Sequence, residues 1–343
     1  MNEMENVNEP QTTIAPRDRY APDFENRIDI SALRAKMDAV KREVKKVIVG
    51  QDDVIHKLLV SILASGHSLI EGMPGVAKTL TAKLIAKSIS GDFKRIQFTP
   101  DLMPSDVTGA SILDLKTNAF GFKKGPIFGN IVLIDEINRA PAKTQSSLFE
   151  CMSERQVTAD GHTYTVPRPF VVFATQNPIE HEGTYRLPEA QLDRFLFKID
   201  MDYPELAQEV EILKEHHAQK AGDKEDMVQA VVSVDEISAF QDLVKLVYVH
   251  EDVFGYIANV ILHTRRNPNL TLGASPRASI AILEAAKANA ALQGRDFITP
   301  DDVKYVAPSI LGHRVMLTPE REMEGFTTDF VVKQIVDGIE IPR

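Results

Sequence analysis

Ser68-Leu69-Ile70-Glu71-Gly72-Met73-Pro74-Gly75-Val76-Ala77-Lys78-Thr79 decides how the rest of the chain is read. A short apolar run is followed by a turn bearing glycine and proline, and Lys78-Thr79 then open a segment with Leu80, Leu84 and Ile85 at helical spacing. Strand, turn and helix in that order form an anion cradle. Backbone N–H groups of the turn and of the first helical turn converge on one concavity, beside the positive end of the helix dipole. Lys78 opposes that dipole, so its natural counterpart is a bound anion.

The spacing Gly72…Lys78-Thr79 follows the Walker A pattern G-x-x-x-x-G-K-[ST], with Ala77 where the last glycine belongs. In that pattern the lysine reaches the β- and γ-phosphates and the Thr79 hydroxyl coordinates Mg²⁺. Ala77 is tolerable at a helix entrance if its φ is negative, because Gly72 and Gly75 retain the freedom the turn needs. Gly72, Pro74, Gly75, Val76, Ala77, Lys78, Thr79 and Leu80 are the candidate nucleotide-binding residues.

Downstream, Ile131-Val132-Leu133-Ile134 is a continuous apolar run, the pattern of a parallel strand buried on both faces. It delivers Asp135-Glu136 at its carboxyl end, where open α/β sheets bind ligands. The pair reads as a Walker B signature, with Asp135 holding Mg²⁺ and Glu136 polarising the attacking water. Pro141 suits the first position of the next helix, which leaves the two acids too far upstream to cap it. Phe170–Thr175 is a further buried strand ending in Gln176-Asn177-Pro178. If the two strands are neighbours, Asn177 lies beside the acids and can position the water.

Upstream of the cradle, Leu33, Met37, Val40, Val44 and Val47 share one helical face that runs to Val49-Gly50-Gln51. A second helix from Asp52 is closed by Gly66. Phe93–Phe98 alternates like a half-buried strand, and the long excursion from Leu102 to Gly125 contains Ile112-Leu113 and Phe120–Phe122 as arms of an inserted hairpin. Gln156–Thr158 and Thr163–Val166 flank Asp160-Gly161, a second hairpin. Leu196–Ile199 is the last strand, and Tyr203-Pro204 marks a boundary. Helices are then expected at Glu205–His217, Asp235–Tyr248, Asp252–Thr264, Pro276–Leu292 and Pro300–Leu311, with a flexible connection at Lys220–Asp226. Ser275-Pro276-Arg277 starts a helix with an arginine against its dipole, explained either by a surface ion pair or by a bound phosphate.

The 343 residues are 43% hydrophobic and 26% charged, enough for two domains with real cores. A net charge of −10 argues against broad nucleic-acid binding. Cys151 is the one cysteine, so no internal disulfide forms and a reducing, cytoplasmic location is expected. No apolar run approaches the roughly 20 residues that span a bilayer. The adjacent His216 and His217 lack metal-ligand spacing.

Together these segments resemble the AAA+ ATPases, and within them the MoxR family of the helix-2-insert clade. The likeness runs from about Val44 to Leu317. It is carried by Ile96-Gln97-Phe98-Thr99-Pro100-Asp101-Leu102-Met103-Pro104-Ser105-Asp106, by Ala174–Glu180, and by Glu182–Tyr185 with Leu187–Phe195. The resemblance implies an AAA+ α/β core over residues 28–203 and a helical lid over 204–343; residues 1–27, rich in Asn, Glu, Pro and Thr, read from their composition as a disordered or loosely docked arm. It implies Val49 and Gly50 beside adenine, Asn177 as sensor 1, Arg277 as sensor 2, and Arg194 as an arginine finger acting on the neighbouring subunit's ATP. Arg194 and Arg277 are then expected to approach the γ-phosphate from opposite sides. The family tolerates alanine before the Walker A lysine, whereas Arg186 stands where it usually has proline. A homo-oligomeric, hexameric ring follows, with ATP and Mg²⁺ as cofactors and von Willebrand factor A domain proteins as clients. Rival readings are a magnesium-chelatase-like or helicase-like motor, which DNA-stimulated hydrolysis would favour, and a nucleotide switch with little turnover.

Overall fold

The computed structural model describes residues 20–22, 27–114, 118–177, 185, 187–218 and 224–341. Most of the expected arm, Ile179–Glu182, Arg186 and the start of the Lys220–Asp226 connection lie outside the described residues.

Helices α1 (Ser31–Val44) and α2 (Asp52–Leu63) lead into strand β1 (Ser68–Gly72) and helix α3 (Lys78–Ser88). A short β2 (Ile89–Ser90) precedes β3 (Phe93–Gln97) and α4 (Pro104–Thr108). The hairpin β4 (Gly109–Asp114) and β5 (Ala119–Lys124) is followed by β6 (Ile131–Asp135) and α5 (Ala142–Glu154). A second hairpin, β7 (Gln156–Ala159) and β8 (His162–Thr165), leads to β9 (Val171–Gln176), α6 (Glu189–Leu192) and β10 (Phe197–Met201).

Beyond β10 the chain is mostly helical: α7 (Leu206–Ala218), β11 (Val232–Ser233), α8 (Val234–Lys245), α9 (Glu251–Arg266) and β12 (Leu270–Leu272) come first. Then follow α10 (Pro276–Leu292), α11 (Pro300–Leu311), β13 (Met316–Leu317), α12 (Pro319–Met323) and α13 (Thr328–Gly338).

The main sheet is wholly parallel, in the order β10-β1-β9-β6-β3. β1, β9 and β6 are interior strands and carry apolar residues on both faces. Alternate residues feed two cores: Ile70, Leu133 and Phe173 point to one, Leu69, Ile134 and Ala174 to the other. The first core continues without interruption through α1, α2 and α3 into α8, α9, α10, α11 and α13. Both hairpins form where their sequences direct, Asp160 and Gly161 taking the two left-handed positions of a tight turn. Phe122 stacks on Tyr164 at 4.2 Å between ring centroids, tying one hairpin to the other.

Several local expectations need correction. α1 ends at Val44, before the glycine, and Val47 stays buried in the turn that follows. α2 stops at Leu63, and Ser65 takes the left-handed conformation. Gly66 serves instead for close approach, since a Cβ there would sit 2.5 Å from Leu196 Cδ2. Pro141 is the residue before α5 and not its first. The helical list also stopped short: Val331, Val332, Ile335 and Val336 give α13 a buried face.

Candidate phosphate site and an arginine-lined face

β6 and β9 are adjacent, with Ile134 paired to Ala174. The condition set for Asn177 is therefore met. A cavity of about 210 Å³ opens at the carboxyl ends of the strands, lined by Pro74, Gly75, Lys78, Thr79, Arg95, Gln97, Asp135, Glu136, Thr175 and Asn177. It sits where parallel-sheet proteins bind ligands, outside the strand ends.

The cradle turn depends on two glycines for different reasons. A Cβ on Gly72 would lie 2.5 Å from the carbonyl oxygen of Met201 on the neighbouring strand β10. Gly75 has φ +86°, a left-handed conformation with open space around it. Ala77 departs from expectation. Its φ is +67°, so the alanine occupies a conformation that costs a non-glycine residue about 1–2 kcal/mol. Lys78 nevertheless begins α3, and its ammonium donates to the carbonyls of Gly72 and, at 3.2 Å, of Gln176.

Asp135 is the hub of the site. Its side chain is 6% exposed, and Oδ1 accepts from Thr79 Oγ1 at 2.8 Å and from Thr175 Oγ1 at 3.3 Å. Thr175 Oγ1 in turn accepts from the Glu136 backbone N–H at 3.1 Å, which couples the β6 and β9 ends. On the other side, Asp135 Oδ2 accepts from Arg95 Nε at 2.6 Å. Glu136, left-handed at φ +57°, accepts from Gln97 Nε2 at 2.8 Å, and Arg139 Nε lies 3.3 Å from the same oxygen. Thr79 and Asp135 thus offer hard oxygen donors side by side. That donor set suits Mg²⁺, which takes one or two protein oxygens and completes its shell with phosphate and water. No cluster of three His, Cys, Asp or Glu side chains that would bind another metal exists among the described residues.

Arg95, Gln97, Thr175 and Arg139 escaped the sequence reading. The alternation in Phe93–Gln97 was a usable signal, because period 2 puts Arg95 and Gln97 on the same face of an edge strand. Val49, Gly50, Val76 and Leu80 do not line this cavity. Gly50 instead packs against Gln208 at the start of α7, and Gln51 Nε2 donates to the Asp202 carbonyl at 3.0 Å.

Arg194 and Arg277 do not line it either. Both border another cavity of about 330 Å³, which Arg155, Arg314 and His67 also line. Asp193 joins the elements there. It accepts from Arg314 Nε at 2.7 Å, and Arg277 Nη1 lies 3.6 Å from its other oxygen. Arg314, 4% exposed, also donates to the carbonyls of Asp193 at 3.0 Å and Leu196 at 3.2 Å. Burial lowers its pKa, opposed by the bond and charge of Asp193. Arg194 donates to the Phe149 carbonyl at 2.6 Å and to Ser153 Oγ, at the C-terminal part of α5. Arg277 is 72% exposed. The two arginines thus share one cavity, and neither lines the phosphate cavity.

Comparison with known proteins identifies the fold and the family. The family described as "ATPase family associated with various cellular activities (AAA)" matches residues 67–197, and the "AAA lid domain" family matches 262–335. A Mycobacterium tuberculosis protein named Chaperone MoxR1 is 41% identical, over 91% of this chain and 84% of its own length. The chain belongs to the MoxR family of AAA+ ATPases. Another MoxR relative, Protein MoxR of Methylorubrum extorquens, is 30% identical over 82% of this chain and 88% of its own. YeaC of Bacillus subtilis, an uncharacterised protein, is 48% identical over 87% and 92%. The crystal structure of a Cytophaga hutchinsonii protein put forward as an ATPase superposes with a TM-score of 0.84, at 41% identity, covering 92% of this chain and 97% of that one. The MoxR-type AAA+ core is the parallel sheet with its flanking helices, and the lid is the helical region after it. No helix among the described residues is long and apolar enough to cross a membrane.

Proposed function

We propose that this MoxR-family chain hydrolyses ATP with Mg²⁺ and that its catalytic centre is shared between neighbouring copies of the chain. The observation that carries the reading is the separation of two sets of groups. Lys78, Thr79, Asp135, Glu136 and Asn177 surround one cavity, while Arg194 and Arg277 converge on another. Phosphoryl transfer needs positioning and charge neutralisation on all sides of the transferred group. The first set supplies phosphate contact through Lys78 and metal oxygens through Thr79 and Asp135. Glu136 and Asn177 orient the water, with Glu136 freed from Gln97 and Arg139 to do so. A bound Mg²⁺ would neutralise the β- and γ-phosphate oxygens. The second set brings positive charge to the nucleotide of the adjacent copy, so assembly completes the site.

A closed, hexameric ring satisfies this geometry at every interface, because a head-to-tail contact that closes leaves none unpaired. Work on protein partners is supported by the chaperone designation of the Mycobacterium relative. Partners with von Willebrand factor A domains rest on the family resemblance alone, and action in the cytoplasm on the single cysteine, Cys151, and the lack of a bilayer-spanning apolar run. The residue boundaries proposed for the nucleotide domain and lid are 28–203 and 204–343.

The test is ATP turnover against protein concentration, with particle mass followed in parallel, for wild type and Arg194→Ala. Turnover per chain is expected to rise with assembly, and the variant is expected to assemble, bind ATP and stall. Equal turnover by dilute wild-type monomer would overturn the shared site.

A further inference from the structure

We infer that Arg95 is a positioning residue of the metal half of the site: it competes with the divalent cation for Asp135 and sets how much Mg²⁺ the protein needs before nucleotide is held productively. The inference rests on the ATPase reading above and concerns a residue to which that reading gives no role.

The two oxygens of the Asp135 carboxylate meet unlike partners. Asp135 Oδ1 is engaged by two hydroxyls, Thr79 Oγ1 and Thr175 Oγ1, both of which are neutral. Asp135 Oδ2 is engaged by a permanent cation, Arg95 Nε, at 2.6 Å. A charge-assisted contact of that length is among the stronger hydrogen bonds a protein makes, and it is shielded on the carboxylate side, where Asp135 is 6% exposed. Arg95 is 56% exposed, on the edge strand β3, beyond which the sheet has no further strand among the described residues. It therefore has room to swing away from Asp135, whereas Asp135 is fixed by the two threonines.

The charges of the cavity make that swing necessary. Lys78 and Arg95 face Asp135 and Glu136, two positive groups against two negative ones. A dication held by Thr79 and Asp135 would add two positive charges next to the guanidinium. Like charges at hydrogen-bond separations repel strongly in a partly shielded site. The same repulsion is relieved if Arg95 leaves Oδ2 for the negative phosphate oxygens in the same cavity. Arg95 so exchanges one anion for another, and the price of that exchange enters the apparent affinity for Mg²⁺. Gln97, two residues on and on the same face, makes the corresponding contact to Glu136 with a neutral amide and carries no such penalty.

The experiment is equilibrium binding of a fluorescent, non-hydrolysable ATP analogue to the full chain, first in EDTA and then titrated with Mg²⁺. Wild type, Arg95→Met, Arg95→Gln and Arg95→Lys are compared, each checked for folding by circular dichroism. Two shifts of opposite sign are expected for the Met and Gln variants. The Mg²⁺ half-point falls by roughly threefold to tenfold, the scale of removing one charge beside an ion in a partly solvated site. Affinity for the analogue in EDTA falls, because a positive charge facing the phosphates is gone. Arg95→Lys keeps its half-point near that of wild type. A half-point that is unchanged or raised in both neutral variants overturns the inference, a rise meaning that Arg95 only orients Asp135. Wild type that binds no analogue under any condition overturns the ATPase reading and this inference with it.

Discussion

The phosphate cavity and the arginine-lined face are built from opposite materials. In the cavity, acids, hydroxyls, amides and two cations meet at strand ends, and short bonds such as Thr79 to Asp135 tie the members to each other. On the arginine face, four arginines share a cavity with two carboxylates, Asp193 and Glu284; Arg314 and Arg277 pair with Asp193, and Arg155, Arg194 and Arg314 also donate to backbone carbonyls. One region is balanced within itself, while the other presents more positive charge than it neutralises. The cavity holds the donors that suit a phosphate with its metal, whereas the face carries more positive charge than the carboxylates described there.

Mixing two defective proteins tests that reading at its largest expected effect. On the proposed mechanism, Glu136→Gln removes water activation but keeps both arginines, and Arg194→Ala keeps the cavity but loses the finger. Each alone should lose on the order of 10³-fold in turnover or more, the usual scale for such groups. Mixed in equal amounts, they should recover to roughly a quarter of wild-type turnover, the share of randomly formed interfaces that join an intact cavity to an intact Arg194. If the mixture stays as inactive as its components, Arg194 and Glu136 serve the same chain's nucleotide and the contrast between the two regions loses its functional meaning.

How much of this could be read beforehand depends on the range of the interaction. Ile131–Ile134 and Phe170–Thr175 declare buried parallel strands by composition, because a strand covered on both faces has no polar alternation to obscure it. Asp135, Glu136 and Asn177 follow from where such strands end. Asp160-Gly161 fixed its own turn. Arg95 and Gln97 remained unread because their importance comes from β3 lying next to β6, a neighbour relation that no local pattern encodes. Arg277 was legible as an arginine out of place at a helix start, yet its direction was not: Asp193, 84 positions away, draws it toward Arg194. Ala77 shows the same limit at the smallest scale, since the sign of one φ decides whether an alanine is strained.

Acid should act on the arginine face through His67, which lines that cavity. The ring is buried, accepts from the Val172 N–H through Nδ1 at 2.9 Å, and has Nε2 3.3 Å from the Met152 carbonyl. Nε2 therefore carries the proton of a neutral imidazole. Burial holds the pKa down, from 6.5 to about 4, with the nearby Arg155 charge adding to the effect. Above pH 6.5 folded and unfolded chains are both neutral at this site. Between 6.5 and about 4 the unfolded chain binds a proton that the folded one refuses, so stability is lost as pH falls, by about 1.4 kcal/mol per pH unit at most. Urea unfolding at a series of pH values should show His67→Gln with a slope shallower than wild type by close to one proton in that window. Parallel slopes would remove His67 as the acid-sensitive support of this face.

The finest contrast lies in the phosphate cradle itself, at Ala77. Replacing it with glycine relieves the left-handed strain, worth about 1–2 kcal/mol, but loosens the unfolded chain at a cost of roughly 0.5–1 kcal/mol. The difference should leave Ala77→Gly more stable than wild type by up to about 1.5 kcal/mol. Ala82→Gly, one turn further along the same helix and fully buried, has no strain to relieve and should lose about 1 kcal/mol or more. Thermal unfolding of the two variants side by side checks the sign at each position. Equal destabilisation would mean that Ala77 sits in a relaxed, negative-φ backbone, as the sequence had led us to expect, and that the cradle stores no strain on its way into α3.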